Sequence, residues 1–125
     1  MISNGVVAKT TWTSTTGTTA VWVPTTGKRW RLSSFCLYAT ADAANSNFGA
    51  SRTLTVTLYD GATDLGISWP IYIGTGAAWS SGFWADNGPP GTLASSAVNT
   101  TLNLNLSGPL TAGKVGLYVV GFEDN

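Results

Sequence analysis

Thr53-Leu54-Thr55-Val56-Thr57-Leu58-Tyr59 and Thr101-Leu102-Asn103-Leu104-Asn105-Leu106-Ser107 alternate polar and apolar residues almost without exception. Successive side chains of a β-strand point to opposite faces, so each stretch makes one aliphatic face and one polar face. A helix would scatter the same leucines around its circumference. The pattern therefore commits both stretches to sheet. Their polar faces carry hydroxyls and amides where a free soluble protein often carries Lys and Glu.

Turn signals and further apolar runs extend this reading along the chain. Ala20-Val21-Trp22-Val23 reads as a strand stopped by Pro24, which has no amide hydrogen for a ladder. Pro24-Thr25-Thr26-Gly27 has the composition of a tight turn. The strand that follows, from Lys28 to Tyr38, changes phase: Trp30 and Leu32 share one parity, Phe35 and Leu37 the other. A bulge or bend near Ser33-Ser34 reconciles its halves. Residues 39–52 are small and polar around Phe48 and read as a loop. The strand 53–59 enters Asp60-Gly61, a turn signal, and 65–73 is its hairpin partner. Pro70 makes that partner an edge strand or splits it. Residues 74–91, rich in Gly and Pro, read as irregular. In the last run, 114–122, both parities are apolar, as in a central strand covered on each side.

Gly, Pro, Thr or Ser breaks every window long enough for a helix. The expected fold class is all-β: a jelly-roll-like antiparallel β-sandwich of about eight strands with no significant helix. Residues 1–10 are expected as an N-terminal arm or edge strand, and 11–125 as a single β-sandwich domain. The expected core is Leu54, Val56, Leu58, Leu102, Leu104, Leu106, Val115, Leu117 and Val119, with Trp22 and Trp30.

Charged residues make up 10% of the 125, and six basic residues cancel six acidic ones. A neutral chain offers no electrostatic footprint for nucleic acid and no basic patch for an anionic membrane. It also lacks the self-repulsion that keeps proteins apart, which favours association. No apolar run approaches transmembrane length. Met1-Ile2-Ser3-Asn4-Gly5 has neither a basic nor an apolar leader region, so export by signal peptide is not expected. Cys36 is the only cysteine; it cannot form an intramolecular disulfide and reads as a small buried hydrophobe.

The chain has no histidine, which excludes Ser-His and Cys-His catalysis and leaves too few ligands for a tetrahedral zinc site. Its carboxylates have simpler explanations than catalysis: Asp60 and Asp86 precede turns, Asp64 lies in the same hairpin as Asp60, and Glu123-Asp124 ends the chain. No catalytic residue, cofactor or metal is assigned. Calcium at Asp60 with Asp64, or at Asp86 with Asn87, has oxygen ligands in loops but no EF-hand spacing. Asn99-Thr100-Thr101 and Asn105-Leu106-Ser107 match glycosylation sequons by chance in an Asn- and Thr-rich chain. Trp69, Trp79, Phe83 and Trp84 gather around the Gly/Pro-rich segment and are the candidate protein-contact residues. The alternatives are a carbohydrate site, with Asp86 and Asn87 beside the rings, or aromatics that close one end of the sandwich.

Val21-Trp22-Val23-Pro24-Thr25-Thr26-Gly27-Lys28-Arg29-Trp30-Arg31-Leu32 resembles small virion proteins of tailed bacteriophages, in which an apolar strand runs into Pro-x-x-Gly-Lys-Arg-x-Arg-Leu and a Ser/Thr-rich β domain. The closing order, Leu102 to Ser107, then Gly113-Lys114-Val115 and a final aromatic strand, is similar too. The Trp-rich segment 69–91 departs from that pattern. The resemblance implies a non-enzymatic virion protein assembled in the host bacterial cytoplasm. Its expected role is capsid decoration (cement), with a tail, fibre or host-surface carbohydrate-binding module as the alternative. It further implies a homo-oligomer, a trimer, whose partners are the major capsid protein or other virion proteins.

Overall fold

The computed structural model describes residues 5–40, 52–73, 79–86, 93–110 and 113–125, with 52, 72–73 and 79–86 described by backbone alone. Nine strands occur among them: β1 Val7–Thr13, β2 Gly17–Trp22, β3 Arg29–Thr40, β4 Arg52–Asp60, β5 Thr63–Ile73, β6 Trp79–Asp86, β7 Leu93–Ala94, β8 Leu102–Leu106 and β9 Lys114–Asp124. No helix occurs among the described residues.

The pairing is nested. β4 and β5 meet across the turn at Gly61, whose φ of 62° is the left-handed region that glycine enters without penalty. Outside that hairpin β3 pairs with β6 and β7, β2 with β8, and β1 with β9, all antiparallel. The long hairpin is then rolled, so that β3 also pairs with β9 and β4 with β8. Two sheets result, β1-β9-β3-β6 with β7 on the same edge, and β2-β8-β4-β5. With β6 and β7, which both pair with β3, counted as one strand, this is the eight-stranded jelly roll, two Greek keys packed face to face.

The alternating stretches form central strands of the second sheet. Leu54, Val56 and Leu58 from β4 and Leu102, Leu104 and Leu106 from β8 are all buried, facing Val115, Leu117 and Val119 of β9. Each such side chain contributes about 1.5–3 kcal/mol relative to exposure. Trp22 and Trp30 are also buried, as their strand positions suggested. The phase change in β3 is a bulge: pairing with β9 shifts between Leu32 and Ser34, which returns Phe35 and Leu37 to the core after Trp30 and Leu32. A second bulge between Ala20 and Trp22 lets adjacent Val21 and Trp22 both be buried.

Three expectations need correction. The segment 74–91 is not irregular throughout, because Trp79–Asp86 is strand β6. Its breakers cluster at Gly74, Gly76 and residues 88–91, leaving Gly82 alone inside an aromatic-rich run that suits a sheet. Gly82 lies where the register shifts, between the pairs Leu37–Phe83 and Ala39–Ser80. Strand β9 is central, but its outward residues Tyr118, Val120 and Phe122 are half-buried, with no second layer described over them. Cys36 is half-buried rather than core, because the bulge that turns Phe35 and Leu37 inward turns Cys36 outward.

Candidate interaction surface

The charged groups whose side chains are described gather mainly at the end of the sandwich that holds the β2–β3 and β4–β5 turns. There they bind the chain to itself. Glu123 accepts hydrogen bonds from the Trp22 indole at 3.0 Å, the Thr25 amide at 2.9 Å and the Thr25 hydroxyl at 2.8 Å. Partial burial pushes its carboxyl up, but these bonds and the Lys9 charge outweigh that and hold it below the usual range. Asp124 receives Arg29 Nε at 2.9 Å and Arg31 Nε on its other oxygen. Desolvation opposes that ionisation too, and the two guanidinium groups overcome it, so Asp124 is also lowered. The Lys-Arg-x-Arg motif thus uses both arginines to hold the last strand.

Asp60 does more than open a turn. It is 4% exposed, and accepts the Ser95 hydroxyl at 2.7 Å on one oxygen and the Ser96 amide and hydroxyl, at 2.8 and 2.9 Å, on the other. Asn99, at φ 60°, accepts the Gly27 amide, and Asn103 donates to the Gly61 carbonyl at 2.9 Å. These contacts tie the segment 95–103 to both turns. Asp64 instead caps its own turn through the Gly66 amide, so the oxygens of Asp60 and Asp64 are spent separately. Among the described residues no group of three or more His, Cys, Asp or Glu side chains could hold a metal ion. The second calcium suggestion falls partly outside the described residues, at Asn87.

Of the four candidate contact residues, Trp69 lies on β5 opposite Val56. It is half-buried against the core, its ring 5.3 Å from that of Phe35. The other three lie on β6, paired through the backbone with β3: Trp79 with Thr40, Phe83 with Leu37 and Trp84 with Cys36. They therefore belong to a sheet and not to a loop, and Trp69 belongs to the opposite sheet.

Sequence reasoning missed the aromatic cluster on the outer face of the first sheet. Trp12 of β1 and Tyr38 of β3 flank Gly116 of β9 on either side. Their rings meet edge to face, with centroids 4.8 Å apart, directly above that glycine. A Cβ on Gly116 would stand 2.8 Å from Trp12 and 2.9 Å from Tyr38, so the missing side chain makes room for both rings. Lys114 caps the cluster, its ammonium 4.7 Å from the Trp12 ring centre. Burial, and then the neighbouring Cys36, push the Tyr38 hydroxyl up. Gly116 within the last apolar run was the available signal, but its meaning depends on cross-strand register. Between Lys114 and the Arg29–Arg31–Asp124 group, the described outward positions of β1, β9 and β3 carry no charge.

The outer face of the second sheet is different. Thr18, Asn105, Thr57 and Ser68 form one row across its four strands. Asn105 donates to Thr18 at 3.3 Å, and the Thr57 and Ser68 hydroxyls are 3.1 Å apart. The uncharged polar face seen in the sequence is thus bridged across strands by side-chain hydrogen bonds in pairs.

No protein-family model and no curated protein matches the chain. Among solved structures it is similar to a chain in the cryo-EM structure of the giant freshwater prawn Macrobrachium rosenbergii extra small virus (XSV) VLP. That likeness has 17% identity, 96% of this chain and 81% of that chain covered, and a TM-score of 0.40. The jelly-roll assignment stands on the strand order.

Proposed function

We propose that this chain is a non-enzymatic structural protein of a virion, and specifically a bacteriophage capsid decoration protein bound to the outer capsid surface. The observation that carries the reading is the division of charge. Arg29, Arg31, Glu123, Asp124 and Asp60 are engaged within the molecule, while the rest of the described outward positions, Lys114 and Asp64 aside, present hydroxyls, amides, aliphatic groups and aromatic rings. Such faces suit attachment by shape and burial. The jelly roll is a fold that capsids use, and the motif from Val21 to Leu32 points the same way.

The test is whether the protein travels with particles. Phage particles purified from lysates of the source host should contain it in fixed proportion to the major capsid protein. Labelled antibody should mark the capsid and not the tail. Attachment should persist in 1 M salt, where the screening length is ~3 Å. Absence from purified particles would refute the virion reading; a tail label, or release by moderate salt, would refute decoration through uncharged faces.

A further inference from the structure

Among the described residues the two sheets have four edges, and they are not equivalent. On β2, pairing shifts between Ala20 and Trp22. Edge strand β5 contains Pro70 and has Gly66 at φ 74°, with a register shift opposite Thr57 and Tyr59. On the β6–β7 edge the register against β3 shifts near Gly82. Bulges, proline and charged side chains, Lys above all, are among the devices that keep a sheet edge from pairing with another chain. Strand β1 has no bulge and no proline, and its one charged residue is Lys9. Its seven residues pair with β9 in unbroken register from Val7 to Thr13, with no Pro or Gly. No described strand lies on its other side.

We propose that this edge pairs with β1 of a second copy, antiparallel about a two-fold axis, joining two β1-β9-β3-β6 sheets into one. The sequence of β1 suits itself in that register. With the axis at Thr10, the middle residue, Trp12 falls opposite Ala8 of the other copy, a large residue beside a small one, twice by symmetry. Lys9 falls opposite Thr11 and not opposite its own copy, and each Lys9 already has the charge of Glu123 in its own chain. Thr10 meets Thr10 on the outer face, where it is exposed, and Thr–Thr cross-strand pairs are favourable. Main-chain hydrogen bonds supply the affinity, as in other strand additions. An isologous contact of this kind closes at two, so it gives a dimer and not the trimer suggested by the family resemblance. The inference does not depend on the virion reading.

Light scattering of the purified full chain should give twice the 13.0 kDa chain mass, falling to one copy on dilution. Thr10→Lys and Thr10→Glu each set like charges opposite one another at the axis and should weaken association on the order of tenfold. An equal mixture of the two should regain the dimer, now as a heterodimer. Thr55→Lys, on the exposed face of the other sheet, should leave the dimer intact. In the wild type, hydrogen exchange of β1 amides should slow as concentration rises. A monomer or trimer at every concentration, dimers that ignore both Thr10 substitutions, or β1 exchange independent of concentration would each overturn the proposal.

Discussion

Gly121→Ala tests the bulged junction of β3 and β9 most directly. Gly121 pairs with Leu32 on one side and Val7 on the other, where Ser33 is the extra residue of β3. A Cβ there would lie 1.9 Å from the Arg31 carbonyl oxygen and 2.9 Å from its carbon. Real Cβ atoms essentially never come within 3.0 Å of such an atom, so the chains must separate by roughly 1 Å or more. The obstacle is backbone held in a ladder, which cannot rotate away as a side chain can. Overpacking costs about 1–3 kcal/mol where side chains can adjust, and this site belongs at or above the top of that range, about 3 kcal/mol. With a urea dependence of about 1.5 kcal/mol per molar for a domain of this size, the midpoint should fall by about 2 M. Gly5→Ala is the control, since nothing lies within 4 Å of a Cβ there, and it should shift stability by less than about 0.5 kcal/mol. Equilibrium urea unfolding followed by tryptophan fluorescence measures both. A Gly121→Ala midpoint within about 0.3 M of wild type would show that the close approach is not a constraint.

Leu104→Ala should cost about 2–5 kcal/mol, because the side chain is fully buried on a central strand and leaves a cavity. Asn103→Ala beside it loses one half-buried hydrogen bond to Gly61 and should cost about 1 kcal/mol; thermal melts of the pair will rank them. Stability should also fall in acid. Glu123 and Asp124 have folded values below their unfolded ones, so their contribution is full above the unfolded values near pH 4 and is lost as pH drops through the folded ones. Urea midpoints from about pH 7 to pH 2.5 should show that loss, and Glu123→Gln should flatten it.

Much of this architecture was legible because period-two patterning is a local signal. The leucines of β4 and β8 declared their face, and the parity switch between Leu32 and Phe35 declared the bulge. β6 was hidden because Gly74 and Gly76 before it and Gly88-Pro89-Pro90-Gly91 after it coloured a window whose middle is a strand. The Trp12–Tyr38 cluster was hidden for another reason: those rings meet over Gly116 only after β1, β9 and β3 are in register. The Asp60–Ser95–Ser96 contacts are likewise between residues far apart in sequence. Nothing in an acidic residue before Gly61 announces which loop it will hold. The candidate aromatics Trp79, Phe83 and Trp84 could be found by composition, but their shared strand could not.

The nesting of the strand pairs also bears on how the molecule is made. Closing a loop costs entropy that grows with the logarithm of its length. β1 and β9 are separated by most of the chain, yet once β4 and β5 have met at Gly61, β3 and β6 are brought near, then β2 and β8, and finally β1 and β9. Each step closes a short additional loop instead of one long one. The route of lowest entropy is therefore a zipper that starts at the middle of the sequence and finishes at its two extremities. Its long-range contacts set a slow timescale, milliseconds to seconds for sandwiches of this kind. During that interval β9 waits with an open edge until β1 arrives, and among the described strands the edge without a register shift belongs to the strand that joins last.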